Sequence, residues 1–256
     1  MKLKILGTGT SQGVPIIGCN CEVCTSSDPK DKRLRTAAQI TSETSRILID
    51  IGPDFRQQML AMKSASAIDG ILITHEHSDH TSGIDDIRPF NKFSPHSIPI
   101  FAEDPVIKDL KLRYRYIFSD HPYPGGPRLE LMPVDVDQRF TVGDIVVKTF
   151  RVWHGTLGIL GFQFDKCAYI TDASRLDEGV IDSLKGISVL VINALRYQPH
   201  PTHFSVEECL HIIQRIQPVK AVIVHISHQM GRHQSVNQTL PNGIELAWDG
   251  MEIDIP

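Results

Sequence analysis

Blocks of basic residues are missing from this chain. Lys and Arg total 26 against 30 Asp and Glu in 256 residues, for a net charge of −4, and the cations are scattered. A protein that grips long nucleic acid through its phosphates concentrates positive charge, so that class is disfavoured and small anions remain as partners. Long apolar runs are missing too. No stretch approaches the roughly 20 residues of a membrane span, and the apolar run in MKLKILGTGT is too short for the core of a signal peptide. The expectation is a cytoplasmic protein with no membrane partner. Cysteines number only five, with three crowded together. That odd count does not suit a disulfide framework and fits metal binding in a reducing compartment. Repeats, low-complexity tracts and a clear linker are also lacking, and with 41% hydrophobic residues one domain over 1–256 is expected.

What is present alternates between two periodicities. Short β-branched runs over Lys2–Leu6, Ile47–Ile51, Gly70–Thr74, Ile98–Phe101, Asp144–Val152, Ala168–Thr171, Val189–Ile192 and Ala221–His225 predict strands. Amphipathic runs over Asp104–Tyr116, Asp177–Leu184 and Val206–Ile216 predict helices, the last with Ser205 and Glu208 spaced as a capping box. The Pro/Gly-rich segment Ser119–Arg128 reads as a surface loop, with an active-site lid the lesser alternative. This mixture predicts a layered α/β sandwich without choosing its topology.

Two clusters carry chemistry. Gly18–Cys24, "GCNCEVC", puts three cysteines inside six residues. Structural zinc takes four Cys or His ligands, so the cluster reads as three-quarters of a site. The stretch Thr74–His80, "THEHSDH", follows the apolar run "GILI", which places it at a strand's carboxyl end, the edge where α/β proteins bind ligands. In extended backbone His75 and His77 point the same way, and a following turn lets Asp79 and His80 face a second point nearby. Imidazole and carboxylate together suit Zn, Mn or Fe. His154, Asp172 and His225 each end a predicted strand. Any one of them alone reads as a cap or a core residue, but three metal-competent groups at three strand ends read as further ligands.

These residues resemble those of the metallo-β-lactamase superfamily: H-x-H-x-D-H after a strand, then His154, Asp172 in "ITD" and His225. More narrowly, "LGTGTSQGVPIIGCNCEVC", "HISHQ" and "LPNGIELAWDGMEI" resemble the PhnP branch, phosphoribosyl cyclic phosphate phosphodiesterases. The resemblance implies a four-layer αββα sandwich and two catalytic divalent metals, Zn or Mn. His75, His77 and His154 would hold one; Asp79, His80 and His225 would hold the other, with Asp172 bridging. Water between the metals would serve as nucleophile. It also implies a structural zinc on Cys19, Cys21, Cys24 and His228, a staple between the amino-terminal loop and a strand near the carboxyl end. His203 matches the histidine that faces the substrate phosphate and protonates the leaving oxygen, with His200 as competitor. Asp79 and His203 are thus the candidate catalytic residues, and Arg196 and His200 the candidate substrate-binding ones.

The segment "VINALRYQPH" departs from the family pattern, which leaves the wall carrying Arg196 and Tyr197 outside the resemblance. Arg196 could grip a second phosphate or sit as an ordinary surface arginine. The implied activity is hydrolysis of small phosphodiesters, cyclic ones included, with 5-phosphoribosyl 1,2-cyclic phosphate as one candidate. A tRNA-maturation nuclease and a non-catalytic zinc-stabilised binding protein are the alternatives. A small phosphorylated substrate is the expected partner, and a homodimer is compatible with the sequence. Cys167, Cys209, His96, His121, His211 and His233 are read as structural or solvent-exposed.

Overall fold

The computed structural model describes residues 1–62 and 67–256. Its strands, in chain order, are β1 (Lys2–Gly7), β2 (Ala37–Thr41), β3 (Arg46–Ile49), β4 (Gly70–Leu72), β5 (Ile98–Ala102), β6 (Leu129–Pro133), β7 (Arg139–Val142), β8 (Ile145–His154), β9 (Leu157–Phe164), β10 (Cys167–Tyr169), β11 (Val189–Asn193), β12 (Lys220–Val224), β13 (Ile244–Leu246) and β14 (Glu252–Asp254). They form two seven-stranded sheets, ordered β14-β1-β2-β3-β4-β5-β6 and β13-β12-β11-β10-β9-β8-β7. β3 to β6 run parallel, as do β10 to β13, while the other neighbours pair antiparallel.

The near-continuous apolar runs follow from burial on both faces of each sheet. In β3, Ile47 and Ile49 face the other sheet while Leu48 packs under helices. In β11, Val189 and Val191 face inward while Leu190 and Ile192 meet the outer helices. Phe55, from helix Phe55–Ala61, and Val106, Ile107 and Leu110, from helix Asp104–Arg113, cover the first sheet. Ile181 and the apolar stripe of helix Val206–Ile216 cover the second. The layers are therefore αββα. Among the described residues no helix is long and apolar enough to cross a membrane.

Helix Val206–Ile216 has its predicted bounds and its capping box: Glu208 N donates to Ser205 Oγ, and Ser205 N to Glu208 Oε2. The run Asp104–Tyr116 does not form one helix. It breaks at Tyr114, whose backbone leaves the helical region, and resumes over Arg115–Phe118. The break has a local cause, because Arg113 and Tyr114 both turn to bind the loop after β4. Ser119–Arg128 holds no helix or strand. His228 starts a single 3-10 turn, His228–Met230, after β12, where a strand was expected.

Candidate functional site

Both sheets end at one edge, and the chemistry-bearing residues sit there. Asp50, Asp172 and His225 come just after β3, β10 and β12, with φ of 59°, 56° and 54°. Side chains other than glycine rarely adopt this left-handed backbone, at about 1–3 kcal/mol each, and such strain gathers at functional sites. β8 and β9 join through a tight hairpin at Gly155 (φ 61°), which leaves His154 as the last strand residue. Gly52 lets the chain after β3 lie against the Asp79 backbone, since a Cβ there would stand 2.0 Å from the Asp79 carbonyl oxygen.

The ligand-competent atoms of His75, His77 and His154 lie within 4.8 Å of one another, and so do those of Asp79, His80, Asp172 and His225. His75 Nε2 is 2.9 Å from His77 Nδ1. His80 Nε2 stands 3.2 Å from Asp79 Oδ2 and 3.5 Å from Asp172 Oδ1. Asp172 Oδ2 is 3.3 Å from His225 Nε2 and 4.0 Å from His75 Nε2, so this one carboxylate reaches both groups. Several ligand rings are oriented from behind. His75 Nδ1 is 2.9 Å from Thr74 Oγ1, His80 Nδ1 is 2.7 Å from Asp50 Oδ2, and His154 Nδ1 donates to Thr202 O at 2.8 Å. These contacts leave each outer nitrogen free for a ligand role.

The set fits divalent cations on two counts. His80 Nε2 and both ring nitrogens of His225 are buried and, among the described residues, make no well-aligned hydrogen bond despite the nearby carboxylates, a costly condition that a metal ion would relieve. The electrostatics agree. Burial would raise Asp79 and Asp172, yet the imidazoles of His80 and His225 hold both carboxyls well below their usual range. Burial likewise opposes a charge on His80, yet Asp172, Asp50 and Asp79 push it well above the usual histidine value. The cluster demands positive charge, and a cation can supply it in place of the proton.

A second group stands apart from the first. His228 Nδ1 lies 3.3, 3.4 and 3.7 Å from the sulfurs of Cys19, Cys21 and Cys24. Cys21 accepts from the Cys24 backbone N–H, and this, with His228, brings its thiol down to about 6, which favours the thiolate that binds metal. Burial drives Cys24 up to about 11. The four residues could hold one tetrahedral ion closing the amino-terminal loop onto the turn at His228. Cys167 and Cys209 are wholly buried elsewhere.

His203 stacks at 4.7 Å on His225 and lies tilted at 4.7 Å from His154, with Nδ1 buried and unpartnered among the described residues. Burial and the surrounding imidazoles bring it down to about 3, which favours the neutral ring. His200 lies 5.1 Å from His203, ring to ring, and its Nδ1 accepts from Thr202 N. Arg196 is half-buried and donates to Gln229 Oε1 at 2.5 Å. His233 is buried against Arg33; His96, His121 and His211 are exposed.

Asp50 was missing from the sequence-derived site. It is fully buried and accepts from Thr74 N, Thr74 Oγ1 and His80 Nδ1. The available signal was a carboxylate closing the apolar run "RILI", the same pattern that marks Asp172.

A family model described as beta-lactamase superfamily domain matches residues 45–226. A curated relative from Porphyromonas gingivalis, named octanoyltransferase, is 40% identical over 98% of this chain and 51% of its own length, so the chain spans about half of it. A coenzyme PQQ synthesis protein B from Methylobacterium nodulans is 28% identical over 75% of this chain and 72% of its own. The crystal structure of a diphosphatase from the PhnP family superposes with a TM-score of 0.92 at 36% identity, covering 98% of this chain and 96% of that one. Human tRNase Z, short form, superposes with a TM-score of 0.68 at 20% identity over all of both chains, a likeness of fold alone.

Proposed function

The chain belongs to the beta-lactamase superfamily and within it to the PhnP family; from that premise we propose that it is a metal-dependent hydrolase of small phosphodiesters, cyclic ones included, with 5-phosphoribosyl 1,2-cyclic phosphate a candidate substrate. The observation that carries the reading is the placement of Asp172, whose two oxygens face both ligand groups while His203 closes the same space from the side. Two divalent cations, zinc or manganese, held by His75, His77 and His154 and by Asp79, His80 and His225 with Asp172 between them, would activate a water and offset charge on a phosphate.

The chain's own residues do the rest. Asp79 and Asp172 stay ionised because the neighbouring imidazoles outweigh burial. Asp50, Thr74 and Thr202 orient His80, His75 and His154. Burial favours the neutral form of His203 in the absence of substrate. An anionic phosphate seated beside it opposes the burial that holds it down and favours its protonated form. As the water's oxygen bonds to phosphorus, with its released proton passing to solvent, the P–O ester bond breaks and the proton on His203 goes to the departing oxygen. A cyclic diester opens to a monoester by this step with nothing lost.

The name of the Porphyromonas relative points elsewhere, and we assign octanoyl transfer to the half of it that this chain does not cover. Acyl transfer through a thiol needs an accessible thiolate. Here burial pushes Cys167 up to about 12 and Cys209 higher still, and the other three cysteines face His228. The test of the proposed activity is turnover of bis-p-nitrophenyl phosphate by metal-loaded protein. Wild type is expected to cleave it and Asp172→Asn to lose most of the rate. Cleavage of a tRNA precursor in preference to small diesters would favour the nuclease alternative, and no cleavage of either would favour a binding protein.

A further inference from the structure

His77 differs from its fellow ligands. His75, His80 and His154 each place Nδ1 against a protein group behind them and present the far nitrogen. His77 presents Nδ1, the ring nitrogen nearest its own main chain, 2.9 Å from His75 Nε2, and the residue is exposed. Its ligand atom is therefore placed chiefly by the backbone of residues 76 and 77, in an irregular stretch between β4 and the helical turn Ser78–Thr81.

That backbone is held from outside the loop. Arg113, at the end of helix Asp104–Arg113, donates from Nη2 to the Glu76 carbonyl at 2.8 Å and from Nη1 to Thr81 Oγ1 at 3.0 Å. Thr81 Oγ1 in turn lies 3.0 Å from the His77 carbonyl, and the Tyr114 hydroxyl donates to the Thr81 carbonyl at 3.2 Å. The guanidinium is paired with Asp109 one turn earlier, and the helix is anchored in the core by Val106, Ile107 and Leu110.

We propose that Arg113, acting through the Glu76 carbonyl and Thr81, is the positioning residue for His77, doing for its backbone what Asp50 does for the ring of His80. The proposal rests on the reading that His75, His77 and His154 hold a catalytic cation. It also explains the helix break at Tyr114, since a continuous helix to residue 116 would carry Tyr114 away from Thr81.

The experiment measures metal affinity, site by site, by chelator competition on Co(II)-loaded protein, with the absorption spectrum reporting geometry. Arg113→Gln and Thr81→Val should each weaken one of the two catalytic ions by about 10–100-fold, the usual range for lost outer contacts, and perturb its spectrum. Thr81→Ser, which keeps the hydroxyl, should retain wild-type affinity, and the ion on the Cys3His group should stay bound throughout. Unchanged affinity in Arg113→Gln, with wild type holding both catalytic ions, overturns the proposal. So does weakening shared equally by all three ions together with a lowered Tm of the metal-free protein, which would mark a general loss of stability. A wild type that binds only at the Cys3His group would instead remove the catalytic reading itself.

Discussion

Asp50 Oδ2 lies 2.7 Å from His80 Nδ1, with both side chains wholly buried. Two strand ends meet in this contact, Asp50 just after β3 and His80 in the turn beyond β4. Asp50 also takes the Thr74 N–H and hydroxyl, so it fixes the root of the loop as well as one ring within it. Replacing Asp50 with Asn keeps the shape and removes the charge. Affinity for the ion on Asp79, His80 and His225 should fall about 10–100-fold, read by chelator competition, and wild-type affinity in this variant would show that the contact only packs.

The Cys3His group joins residues more than 200 positions apart in sequence. Cys21→Ser should release one tightly held zinc per chain, found by elemental analysis, and lower Tm by about 5–10 °C on the scale of about 2–4 °C per kcal/mol for chains of this size. Equal zinc in variant and wild type would remove the staple.

The His203 proton matters most when the leaving oxygen is a poor one. His203→Ala should lose about 10²–10⁴-fold in kcat/KM on a sugar cyclic phosphate and much less on bis-p-nitrophenyl phosphate, whose phenolate leaves without help. Equal losses on both would reduce His203 to charge stabilisation. No loss on either would move the role to His200, whose ring is 5.1 Å away.

Acid stability has a handle outside the site. His233 is brought down to about 4 by burial and by Arg33, whose Nη2 is 3.2 Å from Nδ1. Its folded value lies below the unfolded value of about 6.5, so the unfolded chain binds the proton more readily. The stabilising contribution is complete above about 6.5 and is lost as pH falls towards 4. Asp249, raised to about 6 by burial, acts in the opposite sense, losing its contribution as pH rises through that value. His233→Gln should therefore flatten the fall of Tm between pH 7 and 5 relative to wild type; parallel curves would contradict the assignment.

Much of this arrangement was legible in the sequence, for physical reasons. Strands buried on both faces, such as β3, β11 and β12, are apolar at all but one end position and stand out. The residues of both ligand-competent groups at the sheet ends were visible because polar groups directly after such strands have no packing role. The strands that escaped were those of mixed character: β6 and β7 close an edge of each sheet with alternating exposure, and β13 and β14 are three residues long. β2, "AAQIT", carries a buried Gln39, and β9, "LGILGFQF", is interrupted by glycines. Asp50 escaped because its partners lie 24 and 30 residues away. Arg113 escaped because a basic residue in a last helical turn reads as an ordinary helix end.

The central claim is that Asp172 joins two ligand groups into one centre that opens phosphodiesters. Phosphorus NMR of metal-reloaded protein with 5-phosphoribosyl 1,2-cyclic phosphate, within a panel of cyclic phosphates, tests it most directly. Wild type should convert a cyclic diester signal to that of a monoester, and Asp172→Asn should leave the signal standing while keeping the Cys3His zinc. No conversion of any diester by fully loaded wild type, or undiminished conversion by Asp172→Asn, would contradict the account.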